Sequence, residues 1–111
     1  MPHLLFRGVD ANLLSTVAPS LAAELAALCE CGTDNFTINA LHTTAVFGEP
    51  EAAASFAFIE VGWFERGREI RNAFAGIVTQ YMLKLGFAEV EVVFQAYRED
   101  SYYINGEPCQ S

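Results

Sequence analysis

The sequence predicts an α+β fold in which two βαβ units join into one four-stranded mixed sheet with two helices on one face. Three observations carry this. The apolar pattern runs strand, helix, strand and then repeats in the same order. Shifting the chain by 54 residues lays HLLFRGV (3–9) on AFIEVGW (57–63), Gly32 on Gly86 and FTINAL (36–41) on VEVVFQ (90–95). No linker or low-complexity run divides the 111 residues, so 1–111 is expected to form a single domain.

Each element has a local cause. HLLFRG (3–8) is an apolar strand. Residues 11–31 read as a helix with Leu14, Val17, Leu21, Leu25 and Leu28 on one face, Asp10 as N-cap and Gly32 at C′. Pro19 conflicts with a continuous helix, because an interior proline costs about 3 kcal/mol, so a kink or an irregular first turn is expected. FTINALHTTAVF (36–47) reads as a long strand, 49–55 as a turn or loose excursion, and FAFIEVGWF (56–64) as a buried strand rich in aromatics. A second helix covers 68–85, with Ile70, Phe74, Ile77, Tyr81 and Leu85 as its inner stripe and Gly86 as its stop. VEVVFQAY (90–97) is the last long strand, and Asn105-Gly106 marks a tight turn after Tyr102, Tyr103 and Ile104.

Composition narrows the function. The chain is 52% hydrophobic and only 18% charged, which predicts apolar surface buried against other subunits. Two helices on one face leave the other sheet face bare, and self-association is the simplest cover. With 14 acidic residues against 6 basic and a net charge of −8, nucleic acid and anionic membranes are not expected partners. No segment approaches the roughly 18 apolar residues of a membrane span. No basic-then-apolar signal region opens the chain, so a cytoplasmic protein is expected. Cys29, Cys31 and Cys109 are too few for a disulfide framework and read as reduced thiols. Cys29-Glu30-Cys31 lacks a second Cys or His pair, with His3 and His42 far apart in sequence, so no metal and no cofactor are expected.

Two features carry chemistry. The chain opens MPHLLFRG, and an initiator methionine ahead of a small residue is usually removed. Pro2 would then hold a free secondary amine, which is proline's one route to acting as a base; the alternative is a loose terminus before an edge strand. Arg66, Arg68 and Arg71 make up half of the 6 basic residues and stand where the second helix begins. Cations there oppose the helix dipole, which fits an anionic ligand; the alternative is pairing with Glu65 and Glu69 on a solvated face. Arg7 is expected to pair with Glu60. Trp63, Phe64 and Tyr97 lie at strand ends, either walling an apolar pocket or packing in the core. His3 reads as a surface or interface histidine.

The opening MPHLLFRG, the block FAFIEVGWFERGREIRNAFAGIVTQ and the ending VVFQAYREDSYYINGE resemble the tautomerase superfamily, whose long-subunit members include macrophage migration inhibitory factor and carboxymethyl-hydroxymuconate isomerase. They look most like a small bacterial family of unknown function with that fold. The resemblance implies a homotrimer with its sheets facing inward and helices outside, and a pocket near a subunit boundary with Pro2 at its base. It implies that Pro2, after loss of Met1, shuttles a proton in keto–enol chemistry on a small anionic carbonyl acid. Gln95 would supply a hydrogen bond near Pro2, and the Tyr102, Tyr103 and Ile104 tail would pack on a neighbouring subunit. In this reading Pro2 is catalytic, and Arg66, Arg68, Arg71, Trp63, Gln95 and Tyr97 bind substrate. Ala11-Asn12-Leu13 lacks the arginine that the superfamily's enzymes carry early in the first helix. That keeps a second reading open, a non-catalytic trimer binding a small ligand or a protein. A ferredoxin-like dimer is the third.

Overall fold

In the computed structural model, which describes residues 2–109, the elements follow in the order β1 (Pro2–Arg7), α1 (Ala11–Ser15), α2 (Ala18–Cys29), β2 (Thr37–Leu41), α3 (Pro50–Ala54), β3 (Phe56–Trp63), α4 (Arg68–Lys84) and β4 (Glu89–Ala96), then a hairpin of β5 (Tyr103–Ile104) and β6 (Glu107–Pro108). The main sheet has the order β2-β1-β3-β4. Within each half the strands run parallel, and the halves meet at the antiparallel β1–β3 pair, which makes the sheet mixed as expected.

Strand alternation sorts the side chains. Pro2, Leu4 and Phe6 of β1 and Ala57, Ile59, Val61 and Trp63 of β3 are buried on one face. Leu21 and Leu25 of α2 and Phe74, Val78 and Met82 of α4 close over them in one core. The inner stripe of α4 is therefore Phe74, Val78 and Met82 at a spacing of four, with Ile70, Ile77, Tyr81 and Leu85 only flanking it. Among the described residues no helix covers the opposite face: it carries the Arg7–Glu60 pair at 2.9 Å, with Leu41 and Val93 exposed. The radius of gyration is 14.9 Å, against about 13 Å for a compact chain of this length.

Several expectations are corrected. The single helix over 11–31 is two helices, and Pro19 stands in the opening turn of α2, where its missing N–H has no carbonyl to serve. Asp10 caps α1 as expected, accepting from Leu13 N at 3.1 Å. The left-handed residue that ends α2 is Glu30, with φ 54°, and not Gly32. The strand expected over 36–47 stops at Leu41, where its only neighbour, β1, also ends; Val46 and Phe47 are 93% and 94% exposed. The excursion at 49–55 contains the short helix α3. Asn105 and Gly106, with φ of 52° and 82°, make the tight turn of the β5–β6 hairpin.

Candidate functional site

Register brings the chemistry-bearing residues to one end of the sheet. Pro2 opens β1, an inner strand, and pairs with Trp63 at the end of β3. Trp63 is in register with Ala96 of β4, and its carbonyl accepts from Tyr97 N at 2.7 Å. The Pro2 ring and the Trp63 indole are both fully buried. The indole packs against Phe94 at 4.8 Å and Phe74 at 5.2 Å between ring centroids. Arg66 lies over the indole, its guanidinium carbon 5.4 Å from the centroid, and donates to the Phe64 carbonyl at 3.1 Å. Among the described residues, Trp63 Nε1 is buried with no hydrogen-bond partner. Burial pushes the Cys29 thiol up, and the nearby Arg66 charge opposes that shift.

The sheet's other face carries an aromatic cluster at the same end. His3 bridges two elements, with Nδ1 2.7 Å from Thr37 Oγ1 on β2 and Nε2 3.1 Å from the Tyr102 hydroxyl. Tyr102 packs edge-on against Phe64 at 5.2 Å and beside Tyr97 at 5.5 Å. Tyr97 in turn lies across Gly62, and its hydroxyl fills the space that a β-carbon at Gly62 would need. Burial holds the His3 imidazole below its ordinary 6.5. Tyr102 thus packs within its own subunit. Tyr103 and Ile104, in the hairpin beyond, are 61% and 44% exposed.

Of the residues singled out from sequence, Pro2, Trp63 and Arg66 come together, while Tyr97 lies across Gly62 on the sheet's other face. Gln95 is in register with Gly62 and exposed on the uncovered face. Arg71 is taken up by Glu65 at 2.6 Å, the same carboxylate oxygen accepting from Gly67 N at 2.8 Å. Arg68 is exposed at the first position of α4. Thr37 and Tyr102 were not singled out for this corner; strand alternation puts His3 beside Gly62, but nothing in the spacing brings Tyr102 to it. Two open clefts, of about 550 and 340 Å³, lie at the far end of the sheet, around Gly8, Thr43 and Phe58 and around Asp10 and His42. Among the described residues no group of three His, Cys, Asp or Glu is gathered as a metal site would need, and the three cysteines are free. The expected loss of Met1 lies outside the described residues.

Comparison with known proteins agrees with this architecture. The family model described as "Domain of unknown function (DUF1904)" matches residues 1–108. A crystal structure of a DUF1904 domain from Sebaldella termitidis ATCC 33386 is 35% identical, with a TM-score of 0.85 over 96% of this chain and 97% of that one. A macrophage migration inhibitory factor-like protein from Entamoeba histolytica has a TM-score of 0.73 at 11% identity, covering 96% of both chains. A fused 4-OT, described as an asymmetric trimer, has a TM-score of 0.78 at 12% identity over 97% of this chain and 96% of that one. The last two likenesses show the fold alone, and that fold is the one shared by macrophage migration inhibitory factor and 4-OT. No curated protein matches the sequence.

Proposed function

Because the chain belongs to the DUF1904 family of domains of unknown function and carries the tautomerase-superfamily fold, we propose that it is a keto–enol tautomerase of small carbonyl acids, with Pro2 as general base once Met1 is removed. The observation that carries this reading is the placement of Pro2. It is the first residue of an inner strand, fully buried and paired with Trp63. A proline within a sheet removes a ladder hydrogen bond, and the first position of a strand is where that costs least. Without Met1 the same nitrogen is an amine beside an apolar wall. Burial disfavours its cation and draws its pKa down from about 8 toward neutrality, where a base works best. On an enol substrate the amine takes the O–H proton and returns it to carbon, so the substrate isomerises and the protein is unchanged.

The surroundings support the assignment. Arg66 places a positive charge at this end and attracts the substrate carboxylate. Arg68 follows it at the first position of α4, Trp63 backs Pro2 on the core face, and Tyr97 and Gln95 line the open face of the same sheet end. Arg71 contributes least, being paired with Glu65. The sheet face without a helix and the exposed Val93, Tyr103 and Ile104 support a homotrimer that completes the pocket; the fused 4-OT of the same fold is described as a trimer. Three free cysteines support a cytoplasmic location.

Phenylpyruvate tests the reading. Pro2→Ala should slow enol–keto conversion by about a hundredfold or more, while sedimentation shows an unchanged trimer. A mutant equal to wild type on every enolisable acid tried would leave Pro2 only the start of a strand. The second reading, a non-catalytic trimer that binds a ligand or a protein, is favoured by the lack of arginine in α1, and the same assay separates the two.

A further inference from the structure

The Trp63 indole is the one group at this corner that the fold leaves unexplained. Its Nε1–H is buried without an acceptor among the described residues, and native proteins rarely leave such a donor unpaired. Its neighbours cannot supply one. Phe74 and Phe94 have no polar atoms, and the guanidinium of Arg66 over the ring carries donors only. Glu65, the nearest acid in sequence, turns one carboxylate oxygen to Arg71 and Gly67 N and makes no hydrogen bond to the indole. The polar groups at this end are therefore a cation over the indole, the indole donor itself and, once Met1 is lost, an amine on the residue paired with Trp63. Such a set calls for an anionic acceptor from outside the chain's own fold.

We propose that the Trp63 indole N–H donates to a carboxylate oxygen of the small acid bound beside Pro2, making Trp63 a specificity-determining residue and more than an apolar wall. The identity of the ligand rests on the reading of Pro2 given above; the demand for an acceptor does not. An uncharged analogue of the same acid forms a weaker hydrogen bond here and binds less tightly.

Trp63 is the only tryptophan, so its indole gives a single, unambiguous ¹H–¹⁵N signal in the Met1-cleaved trimer. Titration with phenylpyruvate, pyruvate and, separately, inorganic phosphate should move that proton downfield for at least one of the three. Trp63→Phe keeps an aromatic ring against Phe74 and Phe94 and loses the donor; the KM for phenylpyruvate should rise about tenfold, with kcat within about threefold. Should Trp63→Phe fail to fold, the titration of the wild-type protein decides alone. An indole signal that no probe moves overturns the inference, as does one already hydrogen-bonded before ligand is added. A moved signal alongside a fully active Pro2→Ala upholds the Trp63 donor and removes only the base assignment. An unmoved signal alongside an inactive Pro2→Ala does the reverse.

Discussion

Gly62→Ala is the most direct probe of how the aromatic cluster is built. Gly62 sits near the end of β3, in register with His3 on one side and Gln95 on the other. Its backbone has no left-handed φ, so alanine meets no local strain; the obstacle is Tyr97, whose hydroxyl and ring edge occupy the position of the new β-carbon. Tyr97 cannot simply swing away, because it packs against Tyr102 at 5.5 Å and Phe64 at 6.4 Å. Forcing an extra methyl into a packed site costs about 1–3 kcal/mol. Alanine recovers about 0.5–1 kcal/mol of chain entropy relative to glycine in a strand. From the middle of both ranges the net expectation is a loss of about 1 kcal/mol, read as a lower urea midpoint at unchanged slope and fixed protomer concentration. In a Tyr97→Leu background the obstacle is gone, and the same substitution should be neutral or slightly stabilising. The two sites would then be coupled by about 1–3 kcal/mol in a double-mutant cycle. Equal stability of Gly62→Ala and wild type, or an additive cycle, would refute the placement of Tyr97 over Gly62.

Other substitutions read other parts of the structure. His3 titrates below 6.5 because it is partly buried, so the unfolded chain binds a proton that the folded chain does not. Stability should fall as pH drops below about 6.5 and level off below the lowered folded value; His3→Gln should remove that part of the loss in thermal unfolding across the series. Asp10→Ala removes the cap on Leu13 N and should cost about 1 kcal/mol by calorimetry. Arg71→Ala breaks a half-exposed pair with Glu65 and should cost less than about 1 kcal/mol, with no change in the KM for phenylpyruvate. Arg66→Ala should instead raise that KM about tenfold.

The strands β1, β3 and β4 and the long helix α4 were legible because each shows a clean apolar period, and the repeat of half the chain located them twice. Pro19 marked a discontinuity in the first helix but not its form: Leu14, Val17, Leu21, Leu25 and Leu28 keep one helical stripe across it, so a kink or an irregular first turn was expected where the chain makes two helices and Pro19 opens the second. Strand β2 was read too long because 42–47 has strand-like composition, while sheet pairing ends where β1 ends at Arg7. At the site, Pro2 and Trp63 were each visible, but their pairing depends on the antiparallel β1–β3 register, which no local turn encodes. The Tyr97–Gly62 approach and the His3–Tyr102 contact join segments distant in sequence, and residue spacing carries no trace of either.

The base assignment is tested most directly by a ¹⁵N titration of the Pro2 nitrogen in protein isolated from its native host. The account predicts a secondary amine at residue 2, with Met1 absent, that loses its proton well below the ordinary α-amine value of about 8. A nitrogen that does not titrate, because Met1 is still attached, would contradict it, as would an amine that titrates at or above that value.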